Sequence, residues 1–340
     1  MSSFETTQDD ETWSTWLENA EVDDVYYSAR YARIWADEER GNFTGIRYQS
    51  PAGRMLYPLL LVPLDSIPGG AGLSEARTPY DFGGPLGQAD DLETLHREFR
   101  VELVDWLRSR RVVSEFARIH PLSRGGRPAD ARLHAENFIV DLTIPHDDLF
   151  SSQHRRHRRA VRAFTRRSGE ANVIFDASPD DAASFIESYE LTMNRVGAVA
   201  DYYFTPETLS ALMSLDEMWL VRAEGESRTW GSALFLRSGS NLFYFLGASA
   251  SERPPGTNNA IFDSAIRHAR SRGLLTLHLG GGSESLRQFK SQIASGVVPY
   301  YLVQRVVDEP RYAALCEACG VSGSAHFPAF RSELVAQRRG

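Results

Sequence analysis

The stretch that most restricts the fold of this chain runs from Leu242 to Ile293. Leu242 to Gly247 reads as a strand, and a loop containing Arg253, Pro254, Pro255 and Gly256 follows it. Ile261, Phe262, Ala265, Ile266 and Ala269 then fall on one face of a helix predicted from Asn259 to Arg272. Leu274 to Leu279 is the next strand, Glu284 to Ser291 a short helix, and Tyr300 to Val306 a closing strand. A strand and loop that lead into a helix N-terminus aim backbone N–H groups at one point and suit an anionic ligand. Gly280, Gly281 and Gly282 follow the second strand, and without Cβ atoms they allow a ligand or another backbone to come close.

The rest of the chain has a similar grammar. A helix is expected over Tyr27 to Trp35, then a hairpin from Gly45–Tyr48 to Met55–Val62 around Gln49 to Gly53. A Gly- and Pro-rich loop covers Ile67 to Gly87, followed by a helix from Leu92 to Arg108 and a strand from Val112 to Ile119. The second half offers a strand at Phe138–Leu142, an arginine-rich helix at Ser152–Arg167, a strand at Asn172–Phe175 and a helix at Ala182–Arg195. A second hairpin joins Trp219–Ala223 to Trp230–Leu236 around Glu224 to Ser227. Helix, hairpin and a further helix-and-strand unit recur in each half, which predicts an α/β protein of two similar domains. The expected divisions are an acidic tail over 1–22 that runs into a short helix near Trp13 and Trp16, domains over 23–148 and 149–312, and an extension over 313–340.

Charge narrows the function. The net charge of −8 argues against a wholly basic nucleic-acid binder, yet Arg155 to Arg167 holds seven arginines and no acid, which leaves −15 on the remainder. On that helix His157, Val161 and Phe164 form a narrow apolar stripe. Arg155, Arg158, Arg159 and Arg162 avoid the stripe and suit a polyanion, with an affinity that falls steeply with salt; the alternative is a solvated helix paired with the chain's many acids. Cys316 and Cys319 stand as a lone CxxC with only His326 nearby, which suits two reduced thiols on a helix better than a zinc site of about four ligands. The most apolar run, Met55 to Leu64, contains two prolines and is far short of the roughly 20 residues that span a bilayer. The acidic start lacks the features of a secretory signal, so a cytoplasmic protein without membrane insertion is expected.

Several motifs in order carry a resemblance. Arg253 to Asn258 partly matches the (Gln/Arg)-x-x-Gly-x-(Gly/Ala) loop that cradles the pyrophosphate of coenzyme A in acetyltransferase-fold enzymes, although Asn258 departs from it and two prolines cannot donate. Asn258 and Asn259 before the helix, Leu279 to Gly282 after the strand, and then Phe289 and Lys290 resemble the C-terminal domain of the Fem-like (FemXAB) aminoacyltransferases, a branch of the GNAT superfamily. Thr78 to Leu86 resembles that family's Ser-Pro-Tyr-Gly-Tyr-Gly-Gly-Pro loop, with Asp81 and Phe82 departing. Phe116 to Leu122 is similar to its Phe-x-Arg-x-His-Pro-Leu strand, and Tyr189, Thr192, Met193, Arg195 and Tyr202 to Phe204 match a further stretch.

The resemblance implies two tandem GNAT (acyl-CoA N-acyltransferase)-like domains with mixed central sheets. It implies an enzyme that takes an aminoacyl group from aminoacyl-tRNA and forms a peptide bond on the amine of a small peptide, with no cofactor. The compact length points to the peptide-antibiotic branch of pacidamycin type. Peptidoglycan-precursor branching, transfer from acyl-CoA and a non-catalytic peptide- or RNA-binding protein are the alternatives. Lys290 matches the family's lysine, implied to bind tRNA or stabilise charge at the ester; the other reading is an exposed helical lysine. Asp81, His120 or a phosphate or carboxylate of the substrate could take the proton of the attacking amine, and the sequence does not choose among them. Tyr80, Arg118, Arg195 and Tyr203 are the acceptor-pocket candidates, with Asn258, Gly280 to Gly282 and Phe289 as further binding positions. The loop at Tyr80–Leu86 and the turn at Gly280–Gly282 are expected to face one cleft.

Overall fold

The computed structural model describes residues 2–225, 228–321 and 326–331. Glu226 and Ser227 of the second predicted hairpin turn, and residues 322–325 and 332–340 of the expected extension, lie outside the described residues.

The chain begins with β1 (Ser3–Thr7), α1 (Asp10–Glu18) and a single 3-10 turn at Val25–Tyr27, then α2 (Ala29–Glu39), β2 (Asn42–Ser50) and β3 (Gly53–Pro63). β4 (Ser74–Arg77), β5 (Leu86–Gln88), α3 (Leu92–Ser109) and β6 (Val112–Arg118) follow. Next come β7 (Arg132–Asp141), α4 (His146–Ser152), α5 (Arg155–Ser168), β8 (Asn172–Ile174), α6 (Pro179–Val196) and α7 (Pro206–Met213). β9 (Met218–Gly225), β10 (Arg228–Ser238), β11 (Asn241–Ser249), α8 (Thr257–Ser271), β12 (Thr276–Gly280) and α9 (Glu284–Ser291) come after these. β13 (Gly296–Val306), α10 (Glu309–Ala318) and a 3-10 turn at Ala329–Arg331 come last among the described residues.

Two compact units result. The first holds residues 1–134, 199–201 and 299–340, and the second 135–198 and 202–298. The chain thus divides at 134/135, and from residue 299 β13 falls with the first unit. The reason is that Leu302 to Val306 pair antiparallel with β6, which places Val303 and Val307 in the first core. The helix expected near Trp13 and Trp16 is α1, and the start of the chain packs: β1 pairs with β2, and Trp13 is fully buried, donating from Nε1 to the Tyr27 carbonyl at 2.7 Å.

In the first unit the strand order is β1-β2-β3-β4-β6-β13, with β5 beside β3. β4, which falls inside the segment read as loop, pairs parallel with β6, and α3 makes the crossover. Leu95, Phe99, Leu103 and Leu107 of α3 pack on Ile46, Tyr57, Val112 and Ala117. In the second unit the order is β7-β12-β11-β10-β9-β8. Here β11 and β12 are the parallel pair and α8 the crossover, with Ile261, Phe262, Ala265 and Ile266 buried against Trp219, Phe235 and Leu277. Each unit is thus a mixed sheet with one parallel pair around a crossover helix. Among the described residues no helix is long and apolar enough to cross a membrane.

Candidate functional site

The loop Thr78–Leu86 of the first unit is fastened to β6 from both ends. Thr78 N–H donates to the Phe116 carbonyl at 3.1 Å, Gly83 N–H to Arg118 at 2.8 Å, and His120 N–H returns to Gly83 at 2.9 Å. Gly84 has φ +93°, and a Cβ there would stand 2.8 Å from Ile119 Cδ1, so glycine lets the loop lie against the strand. Three tyrosines hold its other side. Tyr26 OH donates to Asp81 Oδ2 at 2.9 Å, Tyr27 OH to the Gly83 carbonyl at 3.3 Å, and Tyr31 OH to the Tyr80 carbonyl at 2.8 Å. Burial raises all three hydroxyls well above the ordinary tyrosine range, and the Asp81 charge adds to it for Tyr26 and Tyr31. They remain donors at any physiological pH.

This clamp brings four expected residues together. Tyr80 stacks on Trp35 with centroids 4.6 Å apart, and the Arg118 guanidinium lies 5.4 Å from the Tyr80 ring centroid and 5.0 Å from that of Phe116. Among the described residues Arg118 has no carboxylate within ion-pair distance. Asp81 adopts φ +68°, a conformation few side chains take, and this turns its half-buried carboxylate to Tyr26. His120 is buried: Leu122 N–H donates to Nδ1 at 3.2 Å, and Nε2 stands 3.5 Å from Asp24 Oδ2. The proton therefore sits on Nε2, and burial lowers the histidine's pKa against the pull of Asp24. Sequence reasoning missed Tyr26, Tyr27, Tyr31 and Trp35, which reach the loop only through the fold.

In the second unit the β11–β12 ladder runs only over Asn241–Phe243 and Thr276–His278. Beyond it the Tyr244 ring and the Lys290 ammonium lie together, 5.1 Å apart. Lys290 is not the exposed lysine of the alternative reading: it is 5 % exposed, and Nζ donates to the Gly281 carbonyl at 2.5 Å. Gly280 and Gly282 have φ of +71° and +120°, and a Cβ on Gly281 would approach Asn137 Oδ1 to 2.9 Å. The triplet is thus the turn that presents its carbonyl to Lys290. Phe289 packs edge-on against Phe262 at 5.6 Å, which fixes α9 and so the lysine. Tyr244 is the residue sequence reasoning missed here; burial raises its hydroxyl to about 12.

Arg195 and Tyr203 form a neighbouring cluster at the end of β11. Arg195 donates to the Ser249 carbonyl at 2.7 Å, and Tyr203 OH to Asn194 Oδ1 at 3.1 Å. Asn258 sits in the first turn of α8, half-buried, and Gly256 is the N-cap.

α5 presents the arginines. His157, Val161 and Phe164 are buried, and Arg155, Arg159 and Arg162 are exposed with Arg158 partly so. Among the described residues none of the seven arginines pairs with a carboxylate, which removes the acid-paired alternative. The helix is seated on the entry to α8. Asn259 Nδ2 donates to His157 Nδ1 at 2.8 Å, and a Cβ on Gly256 would fall 2.6 Å from the Ala160 carbonyl oxygen.

That seat tests coenzyme A against the loop Arg253–Asn258. Pro254 and Pro255 have no N–H, Thr257 N–H is turned to the Pro254 carbonyl at 3.3 Å, and the bare face of Gly256 admits the α5 backbone. The residues present do not fit a pyrophosphate cradle.

Two α/β units, each with a mixed sheet and a crossover helix between parallel strands, define the class: a tandem GNAT-like fold. Residues 151–291 match the family model described as an acetyltransferase (GNAT) domain, a match that ends just past Lys290. Among solved structures the chain is similar to FemX, with 13% identity, a TM-score of 0.66 and 91% of this chain covered against 99% of that one. It is also similar to the C-terminal domain of a putative lysylphosphatidylglycerol synthetase from Agrobacterium fabrum (15% identity, TM-score 0.56, 93% and 98% covered). The structure titled L-PGS from Bacillus licheniformis gives 15% identity, a TM-score of 0.56, and coverage of 88% and 92%. No curated protein sequence matches the chain. The Fem-like GNAT resemblance carried by the motifs therefore holds in the fold, and the stretch matched by the GNAT family model lies within the second unit.

Proposed function

We propose that the protein is an aminoacyl-tRNA-dependent aminoacyltransferase that forms a peptide bond on the amine of a small peptide in peptide-antibiotic biosynthesis. The observation that carries this is α5: a helix face of arginines without acid partners, docked on the α8 entry of the unit that holds Lys290, while the adjoining loop is unsuited to coenzyme A. An RNA backbone is the ligand such a face matches. The name of a similar structure adds that this fold occurs in a synthetase of an aminoacylated product.

An aminoacyl ester is already activated, so positioning and electrostatics can supply the catalysis. The amine nitrogen, having lost one proton, attacks the ester carbonyl and the carbonyl oxygen gains negative charge; on collapse the C–O bond breaks and the ribose oxygen leaves as the tRNA hydroxyl, taking the proton that the new amide nitrogen sheds. Lys290, held by the Gly281 carbonyl in a place of low exposure, would stabilise that oxyanion; the tRNA 3′ phosphates or a substrate carboxylate would take the ammonium proton. On the first unit, Asp81 suits a peptide ammonium, and Arg118, stacked on Tyr80, suits a carboxylate.

Incubation with a pool of radiolabelled aminoacyl-tRNAs and candidate peptides tests the reading. Label moving to an antibiotic-type peptide is the expected result, and label moving only to a peptidoglycan precursor would give the acceptor to that branch. Stoichiometric thiol release from an acyl-CoA, with no transfer from tRNA, would overturn the proposal.

A further inference from the structure

A groove of about 370 Å³ beside α3, wholly within the first unit, has no part in the chemistry above. Leu92, Glu93, His96, Arg97 and Arg100 line it from α3, and Arg127 enters from the loop after β6. Three cations thus meet one carboxylate. Among the described residues none of the three arginines is within ion-pair distance of any acid, and even Glu93, one turn from Arg97, does not pair with it. Arg97 and Arg100 are like charges at i and i+3 on one helix face, an arrangement that repels itself without a counter-ion.

The groove is also built. His96 is buried, and its Nε2 bonds the Gly125 carbonyl at 2.8 Å, which ties the loop to α3. Gly126 turns over the ring at φ +75°, where a Cβ would stand 3.1 Å from His96 Nε2, and the next residue is Arg127. The Arg127 guanidinium lies on the Tyr301 ring at 4.2 Å, and Arg97 is held by Thr94 Oγ1 at 3.0 Å. Two of the three cations are therefore pre-positioned. The helix end itself is capped by Asp91, so the field comes from the side chains.

Topology gives the place meaning. β4, α3 and β6 repeat β11, α8 and β12, each a parallel pair around a crossover helix. The first turns of α3 correspond to the α8 entry, which α5 covers in the second unit, whereas here the equivalent place is an arginine-lined groove.

We propose that this groove is a binding site for a small organic phosphate of mononucleotide size, its phosphate held by Arg97, Arg100 and Arg127 and its flat apolar body resting on Leu92. A volume of this order is that of ordinary small-ligand sites, and guanidinium forks match phosphate oxygens. The inference does not depend on tRNA as donor.

Calorimetric titration of the full chain with AMP, adenosine and inorganic phosphate in low salt is the test. AMP is expected to bind with a Kd below about 1 mM, and adenosine at least about tenfold more weakly. The double variant R97Q/R100Q should lower AMP affinity about tenfold or more while keeping the wild-type melting temperature, since both side chains are exposed. If the double variant does not fold, Arg100→Gln alone is measured, with a loss of at least about threefold expected. Absence of AMP binding, equal affinity for adenosine, or an affinity unchanged in the folded variant would overturn the site. Aminoacyl transfer is not the readout, so failure here leaves the donor question untouched.

Discussion

At the scale of single residues, Lys290 decides most. On the proposed function its ammonium meets charge that exists only while the ester is attacked, so its removal should lower the rate more than the affinity for the acceptor. Lys290→Met is expected to reduce single-turnover transfer from aminoacyl-tRNA on the order of 10²-fold or more, with acceptor affinity nearly unchanged. A rate within about threefold of wild type would make Lys290 a structural residue only. The structure adds a cost that sequence did not suggest. The Gly281 carbonyl loses its donor, so the variant should also unfold roughly 1–3 kcal/mol more easily in denaturant. Arg118→Met provides a contrast: an arginine without an acid partner in the folded protein should lose little stability when replaced, but should raise the KM for a carboxylate-bearing acceptor by about tenfold. Lys290, Arg118 and Tyr80 were legible because motifs carry them. Tyr26, Tyr31 and Tyr244 were not, because a tyrosine's partner across the fold leaves no mark in its own neighbourhood.

At the scale of elements, α5 is held by its stripe and charged on its other faces. Replacing Arg155, Arg158, Arg159 and Arg162 with Gln should weaken tRNA binding and flatten its salt dependence by roughly 0.7 to 0.9 in slope for each phosphate that is no longer neutralised. An unchanged slope in filter binding would place the tRNA elsewhere. The stripe has its own test through His157, whose pKa burial lowers to about 4. Below pH 6.5 the unfolded chain takes up a proton that the folded chain refuses until about pH 4, so stability is lost as the pH is lowered through that window. His157 should therefore account for roughly 2 kcal/mol of lost stability between neutral pH and pH 5. Urea unfolding of wild type and His157→Gln at about pH 7.5 and 5 would show it as a smaller acid loss in the variant. α5 itself was plain from its periodicity. β4 was not, since a four-residue strand in a Gly- and Pro-rich segment is made a strand by β3 and β6 on either side of it.

At the scale of the whole molecule, the first unit is assembled from segments far apart in the chain. β13 brings Val303 to the first core, and Arg305 to the buried Glu115 and to Asp130. Burial raises the Glu115 carboxyl, with Arg305 opposing that rise. A chain ending at Val298 would leave β6 as a bare edge and Glu115 without its cation. Such a chain is expected to lose cooperative unfolding of residues 1–134 in hydrogen exchange while residues 135–298 keep theirs. Protection of β2 and β3 at the full-length level would contradict the assembly.

The sequence by itself determined the α/β class, the pair of similar units, the basic helix and the ordered motifs at Tyr80, Arg118, Gly280–Gly282 and Lys290. These depend on local periodicity and composition, which each segment carries with it. Only the tertiary structure decided that the acidic start adds a strand to β2 and buries its helix, that the units divide at 134/135 with β13 returning to the first, and that α5 covers the α8 entry. Those outcomes come from pairings between distant segments. Burial of Trp13 and Val303 and the approach of the Ala160 carbonyl to Gly256 are each settled by a partner that neither segment specifies alone.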